Sequence, residues 1–161
     1  MNEQFQEALS LRKKSNYEES KKLFLDLVKR NPDHASINYQ CAWSYDLLGE
    51  EKKAVPFYEQ AIKLGLIGAD LEGAYIGLGS TYRTLGEYIK SKEILLGGIE
   101  KYPNNKAIKV FLSMTLYNLK EYKKATELLL TILLDTTKNE DIIIYRKAIK
   151  LYTENLDNIS E

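Results

Sequence analysis

A chain of 161 residues can bury a hydrophobic core of its own, so neither disulfides nor a structural metal is needed to fold it. Lysine plus arginine and aspartate plus glutamate both number 23, and this zero net charge argues against nucleic acid as a main partner, because phosphate binding needs a concentrated positive field. The single cysteine, Cys41, excludes an internal disulfide and fits a reducing compartment. The stretch from Met1 to Ser10 has no apolar core of leader length, and no apolar run is long enough to span a bilayer; a cytoplasmic protein away from the membrane is expected.

Three prolines and nine glycines are few, and leucine, lysine, glutamate and isoleucine are abundant, which favours helices over strands. In chain order the sequence reads as paired amphipathic helices. The first pair covers about 1–34; its first helix runs to Ser15 and its second ends near Asn31-Pro32, where proline stops it. The second pair, about 35–71, turns at Gly49 and closes through Gly65-Leu66-Ile67-Gly68-Ala69-Asp70. It is three residues longer than its counterparts and has no closing proline, so an altered turn and a changed angle to the next pair are expected. Pro56 lies early in a helical pattern and predicts a local kink or a delayed start. The third pair, about 72–105, turns at Gly86 and ends at Tyr102-Pro103; the fourth, about 106–139, turns at Lys120. Asp141 is read as the N-cap of a single closing helix, about 140–155, striped by Ile144, Ala148, Leu151 and Tyr152. The helix before it is apolar on several faces and needs cover on more than one side. The closing helix supplies one side, and a second copy of the chain would supply any remainder.

The pairs share one rhythm. Ala8, Ala42, Gly79 and Ser113, all small, are spaced 34, 37 and 34 residues apart. Ser20, Ala54, Ser91 and Ala125 keep the same spacing, and so do the large residues Phe24, Tyr58, Leu95 and Leu129. Small columns suit close helix crossings, and large ones fill the space beside them. One such hairpin cannot bury its apolar face alone, so the units stack.

The string Leu78-Gly79-x-x-Tyr82, then Gly86-x-Tyr88, then Pro103, resembles the tetratricopeptide repeat signature. The second pair offers Ala42, Tyr45, Gly49, Ala54, Tyr58 and Ala61 in the matching slots, and the fourth offers Leu112, Tyr122 and Ala125. The first pair is weakest, with Glu7 where the family usually has leucine. The resemblance covers about residues 3–136; more narrowly, Trp43-Ser44-Tyr45-Asp46, Leu78-Gly79-Ser80-Thr81-Tyr82-Arg83 and the tail from Tyr145 to Tyr152 look similar to a group of small bacterial single-domain proteins of this type. It implies an all-α fold: a right-handed superhelical stack of about four helix-turn-helix units with a C-terminal closing helix. It implies a class, and no particular substrate.

In such a stack the first helices of the units line a concave face. The residue one place past the small slot, and the residue three further on, then point into it. These are Trp43 and Asp46, Ser80 and Arg83, Met114 and Tyr117. Tyr39 and Ile76 lie one turn earlier, as does Val110, and Asn118 lies at the edge. Tyr145, with Ile149 and Tyr152, is expected to close the far end. The groove is aromatic and nearly uncharged apart from Asp46 and Arg83, and tyrosine and tryptophan are the residues that carry contact energy at binding surfaces. Arg83 suits a carboxylate held by paired hydrogen bonds. The alternative is that Asp46 and Arg83 pair with each other, and for Trp43 that it packs between helices. The lysine- and asparagine-rich clamp with which some family members hold chaperone C-termini is absent; Phe5, Leu9, Tyr39 and Trp43 occupy those faces.

Catalytic candidates are few. His34, the only histidine, follows Asn31-Pro32-Asp33 and reads as a surface residue; Cys41 reads as a buried structural thiol. No His/Cys/carboxylate cluster has metal-ligand spacing. Gly77-Leu78-Gly79 lies within a helical pattern without a preceding strand, so helix packing accounts for it better than a phosphate loop. The expectation is a non-enzymatic scaffold without cofactor or metal that binds a protein or peptide in the groove. The alternative is a self-associating module, a homodimer through the C-terminal helices.

Overall fold

The computed structural model describes residues 2–159. Ten helices and no strand occur among the described residues: α1 Asn2–Lys13, α2 Tyr17–Arg30, α3 Ala35–Asp46, α4 Glu51–Lys63, α5 Gly68–Thr84, α6 Tyr88–Lys101, α7 Lys106–Asn118, α8 Tyr122–Thr136, α9 Glu140–Ile143 and α10 Arg146–Thr153. From α1 to α8 each helix packs on the next, and α5 also touches α3 and α7. Helices α3, α5 and α7 therefore lie side by side as one layer, with α4 and α6 packed between them from behind.

The same turn joins the two helices of every pair. Ser15, Gly49, Gly86 and Lys120 have φ of 63°, 68°, 80° and 63°. The amide after each reaches back to the carbonyls of Leu11, Tyr45, Tyr82 and Leu116, respectively. This left-handed C-terminal cap satisfies carbonyls that the helix end would leave open. Glycine adopts it freely; Ser15 and Lys120 do so at a cost of about 1–2 kcal/mol each.

The small columns mark the close crossings. Ala8, Ala42, Gly79 and Ser113 are all buried. At Gly79 a Cβ would lie 2.6 Å from Leu95 Cδ2, so α5 and α6 approach too closely for a side chain there. Ser20 Oγ donates to the Ala8 carbonyl (2.8 Å), and Ser91 Oγ donates to that of Gly79 (2.7 Å), the same bond 71 residues on. Two ion pairs repeat with the same offset, Lys21–Glu50 and Lys92–Glu121, each tying one second helix to the start of the next.

Two details differ from expectation. Helix α4 begins at Glu51 and runs through Pro56 without a delayed start. The donor that proline lacks would have served the Lys52 carbonyl, and both residues face solvent, where water replaces the bond. The closing segment is two helices rather than one. Asn139, not Asp141, caps α9, accepting from the Asp141 amide at 2.9 Å. The run Ile142-Ile143-Ile144 is β-branched and a poor helix former, and the chain turns at Ile144-Tyr145 before α10. The longer second joint contains Gly65 and Gly68 at φ of 81° and 62°, and Leu66 between them is buried.

The closing segment covers one side of α8. Arg146 Nη1 donates to the Leu134 carbonyl at 2.6 Å, and Lys123 pairs with Asp157 at 2.9 Å. Tyr122, Leu129 and Leu133, on another side of α8, stay exposed. No helix among the described residues is long and apolar enough to cross a membrane.

Candidate peptide-binding groove

Two clefts open along the layer of α3, α5 and α7. The first, about 460 Å³, is lined by Tyr39, Trp43, Asp46 and Leu47 at α3, Tyr58 of α4, Gly73, Ile76, Gly77 and Ser80 of α5, and Phe111 of α7. The second, about 480 Å³, is lined by Arg83 of α5, Ser113, Met114, Tyr117 and Asn118 of α7, and Tyr122, Ala125, Thr126 and Leu129 of α8. Large apolar side chains stand open in both. Trp43 and Met114 are each 41% exposed and Tyr117 is 64% exposed, although burying a side chain of this size is worth about 1.5–3 kcal/mol.

Asp46 is the acid of the first cleft. It accepts from Tyr58 Oη at 2.7 Å and from Thr81 Oγ1 at 2.9 Å, which fixes one carboxylate against α4 and α5. Glycine at position 77 makes this possible, because the Tyr58 ring occupies the space a Cβ would need. Burial pushes the Asp46 carboxyl above its usual range, and the two hydrogen bonds offset part of that rise. Burial likewise lifts the Tyr39 phenol to about 12, with Asp70 adding to it, and the Cys41 thiol to about 12. Cys41 is fully buried and therefore unreactive.

Arg83 is the base of the second cleft. Its Nη1 donates to Asn118 Oδ1 over a long 3.4 Å, and its Nε is shut from solvent without a partner. Asp46 and Arg83 form no ion pair among the described residues, so the sequence-based alternative that they neutralise each other is not realised. The cause is geometric: Asp46 is turned to Tyr58 and Thr81, and Arg83 toward α7.

The nine predicted groove residues other than Tyr145 divide between the clefts. Tyr39, Trp43, Asp46, Ile76 and Ser80 line the first; Arg83, Met114, Tyr117 and Asn118 line the second. Tyr39 is itself buried, with its ring tilted by 34° against that of Trp43 and the centroids 6.0 Å apart. Tyr145 lines neither cleft: it sits exposed at the turn before α10, which packs on the far side of α8.

Sequence reasoning missed two things. The first is the wall that α8 adds through Tyr122, Thr126 and Leu129. No fifth pair covers that face, and its spacing along the helix was there to be read. The second is Arg12, which the rule that selected Asp46 and Arg83 also selects in the first pair. Arg12 Nη1 donates to Gln40 Oε1 (2.5 Å), and Nη2 donates to the Gln40 carbonyl (2.7 Å) and Ser44 Oγ (2.8 Å). Its guanidinium lies 4.7 Å from the Trp43 ring and 4.9 Å from that of Phe24. Burial lowers its pKa to about 10, so it stays charged at neutral pH. Arg12 thus stands behind Trp43 and holds it in place.

No group of three or more potential metal ligands occurs among the described residues. No curated protein matches the sequence. Among solved structures, a MamA double mutant superposes with a TM-score of 0.73 at 18% identity, over 81% of this chain and 71% of that one. YrrB, described as a TPR protein with an unusual peptide-binding site, gives 0.72 at 16% identity, over 96% and 78%. MamA residues 41 to the end, from Desulfovibrio magneticus RS-1, gives 0.71 at 11% identity, over 98% and 97%. At these identities the likeness concerns the fold. The family described as "Tetratrico peptide repeat" matches residues 33–156, and a second description, "Tetratricopeptide repeat", matches residues 4–34. With its repeated left-handed caps, its small-residue crossings and these matches, the chain belongs to the tetratricopeptide repeat family.

Proposed function

We propose that this chain is a non-catalytic scaffold that holds an extended segment of another protein in the groove along α3, α5 and α7. The observation that carries the reading is the exposure of Trp43, Met114 and Tyr117 along one face, beside two open clefts. Rigid aromatic side chains lose little entropy on binding and dominate contact energies at interfaces. The peptide-binding site in the description of YrrB supports the same reading by analogy of fold. Tyr117→Ala and Trp43→Ala are expected to abolish capture of partners from native lysate while the helical circular dichroism is kept. If both variants retain the proteins that wild type retains, the groove is not the site.

A second reading is compatible with the first: self-association through the C-terminal helices. It is favoured by the exposure of Ile144, Leu151 and Tyr152 on the closing segment and of Leu129 and Leu133 on α8. A monomer by light scattering at high concentration removes it.

A further inference from the structure

We infer that the groove selects its segment by charge: it takes a lysine or arginine side chain at Asp46 and a carboxylate at Arg83, about three residues apart in an extended peptide. The inference rests on the groove reading above and adds the chemistry of the ligand. Its ground is a pair of opposite charges that the fold holds on one face and leaves unneutralised. Asp46 receives two bonds from neutral hydroxyls and keeps lone pairs open toward the first cleft. Its desolvation is uncompensated by any cation, and a ligand ammonium or guanidinium would compensate it. Arg83 lines the second cleft and makes one side-chain hydrogen bond, the long one from Nη1 to Asn118, so the other Nη donors are left for a ligand; its Nε is shut from solvent and is not among them.

The spacing follows from the architecture. Asp46 reaches across to Thr81, between α3 and α5; Arg83 reaches across to Asn118, between α5 and α7. The two charges therefore sit in neighbouring inter-helix channels, about 8–10 Å apart, which a chain extended as polyproline II covers in three residues at about 3.1 Å each, with the side chains of i and i+3 on the same side. Beside Arg83 the cleft is apolar, with Met114, Tyr117 and Leu129, and it accommodates a bulky apolar side chain next to the carboxylate. An acidic side chain and a chain terminus present the same two oxygens to the arginine, so either source satisfies the site.

The test uses capped peptides of one length carrying Lys-Ala-Ala-Glu with leucine beside the glutamate, in both chain directions. Controls carry Lys-Ala-Ala-Lys, Glu-Ala-Ala-Glu or Gln-Ala-Ala-Gln. A further peptide ends in a free carboxylate at the glutamate position, to separate terminus from side chain. Affinity is read by calorimetry, and location by the fluorescence of Trp43, the only tryptophan. The mixed-charge peptide, in one direction, is expected to bind about tenfold or more tighter than each control. Arg83→Glu should move the preference to Lys-Ala-Ala-Lys, and Arg83→Gln, which keeps the fold should the first variant lose helicity, should erase the preference for acid. Equal affinities for all peptides, or a preference that Arg83→Glu and Arg83→Gln both leave unchanged, overturn the charge pattern and leave the groove reading standing. Binding that leaves Trp43 unperturbed, or no binding by any peptide, overturns the groove reading with it.

Discussion

Arg12 and Arg83 stand 71 residues apart, at the same place in the first and third helix pairs, yet their side chains end in different company. Around Arg12 the second pair supplies Gln40, Ser44 and Trp43; three hydrogen bonds take up its two Nη groups and two aromatic faces cover it, while its Nε, like that of Arg83, is buried without a partner. The equivalent residues around Arg83 are Phe111, Thr115 and Met114. Phe111 has no acceptor in its side chain. The Thr115 hydroxyl is turned away, bonded to Ser91 Oγ at 2.8 Å and to the Phe111 carbonyl at 3.2 Å. Arg83 is left with Asn118 at 3.4 Å. A repeat makes two positions equivalent in backbone; the neighbours decide whether the charge there serves the structure or remains available to a ligand.

The largest expected effect of this difference is on stability. Arg12→Ala strips partners from the buried Gln40 and Ser44 and support from Trp43. It is expected to cost about 2–4 kcal/mol in urea unfolding. Arg83→Ala removes one long bond and is expected to stay within about 1 kcal/mol of wild type. Equal losses would break the comparison.

A smaller effect distinguishes the surroundings of Arg12 at alkaline pH. Burial raises the Cys41 thiol from 9.0 to about 12. Between those values the unfolded chain has released a proton that the folded chain still holds, so stability falls as pH rises. The contribution is fully present below pH 9.0 and is lost on the way to about 12. Arg12, lowered to about 10, acts in the opposite sense above that value, because there the unfolded chain holds the extra proton. Replacing the thiol isolates its part: Cys41→Ala should flatten the decline, by about 2 kcal/mol near pH ~10.5, in urea midpoints compared with those at pH ~8. An unchanged slope would mean that the thiol is not held neutral by burial.

Periodic features were legible in the sequence because the fold repeats them. The left-handed positions Ser15, Gly49, Gly86 and Lys120 follow the 34, 37, 34 spacing, and glycine at two of them reveals the turn. The helix–helix crossings were legible for the same reason, since only small residues fit at positions 8, 42, 79 and 113. The partners of individual side chains were not. Nothing in the pattern says that Asp46 turns to Tyr58 rather than to Arg83. That choice depends on Gly77 admitting the Tyr58 ring, a contact between α4 and α5. The break at Ile144-Tyr145 was visible as a β-branched run, but the helical stripe through Leu151 and Tyr152 outweighed it.

Nuclear magnetic resonance of the guanidinium groups distinguishes a structural arginine in the first pair from an available one at the same position of the third. Fixed hydrogen bonds stop rotation about the Cζ–Nη bonds and separate the Nη proton signals. Separate, slowly exchanging signals are expected for Arg12 in the free protein, and averaged signals for Arg83 that separate when the Lys-Ala-Ala-Glu peptide is added. Separate signals for Arg83 without peptide, or signals that the bound peptide leaves averaged, would contradict that distinction.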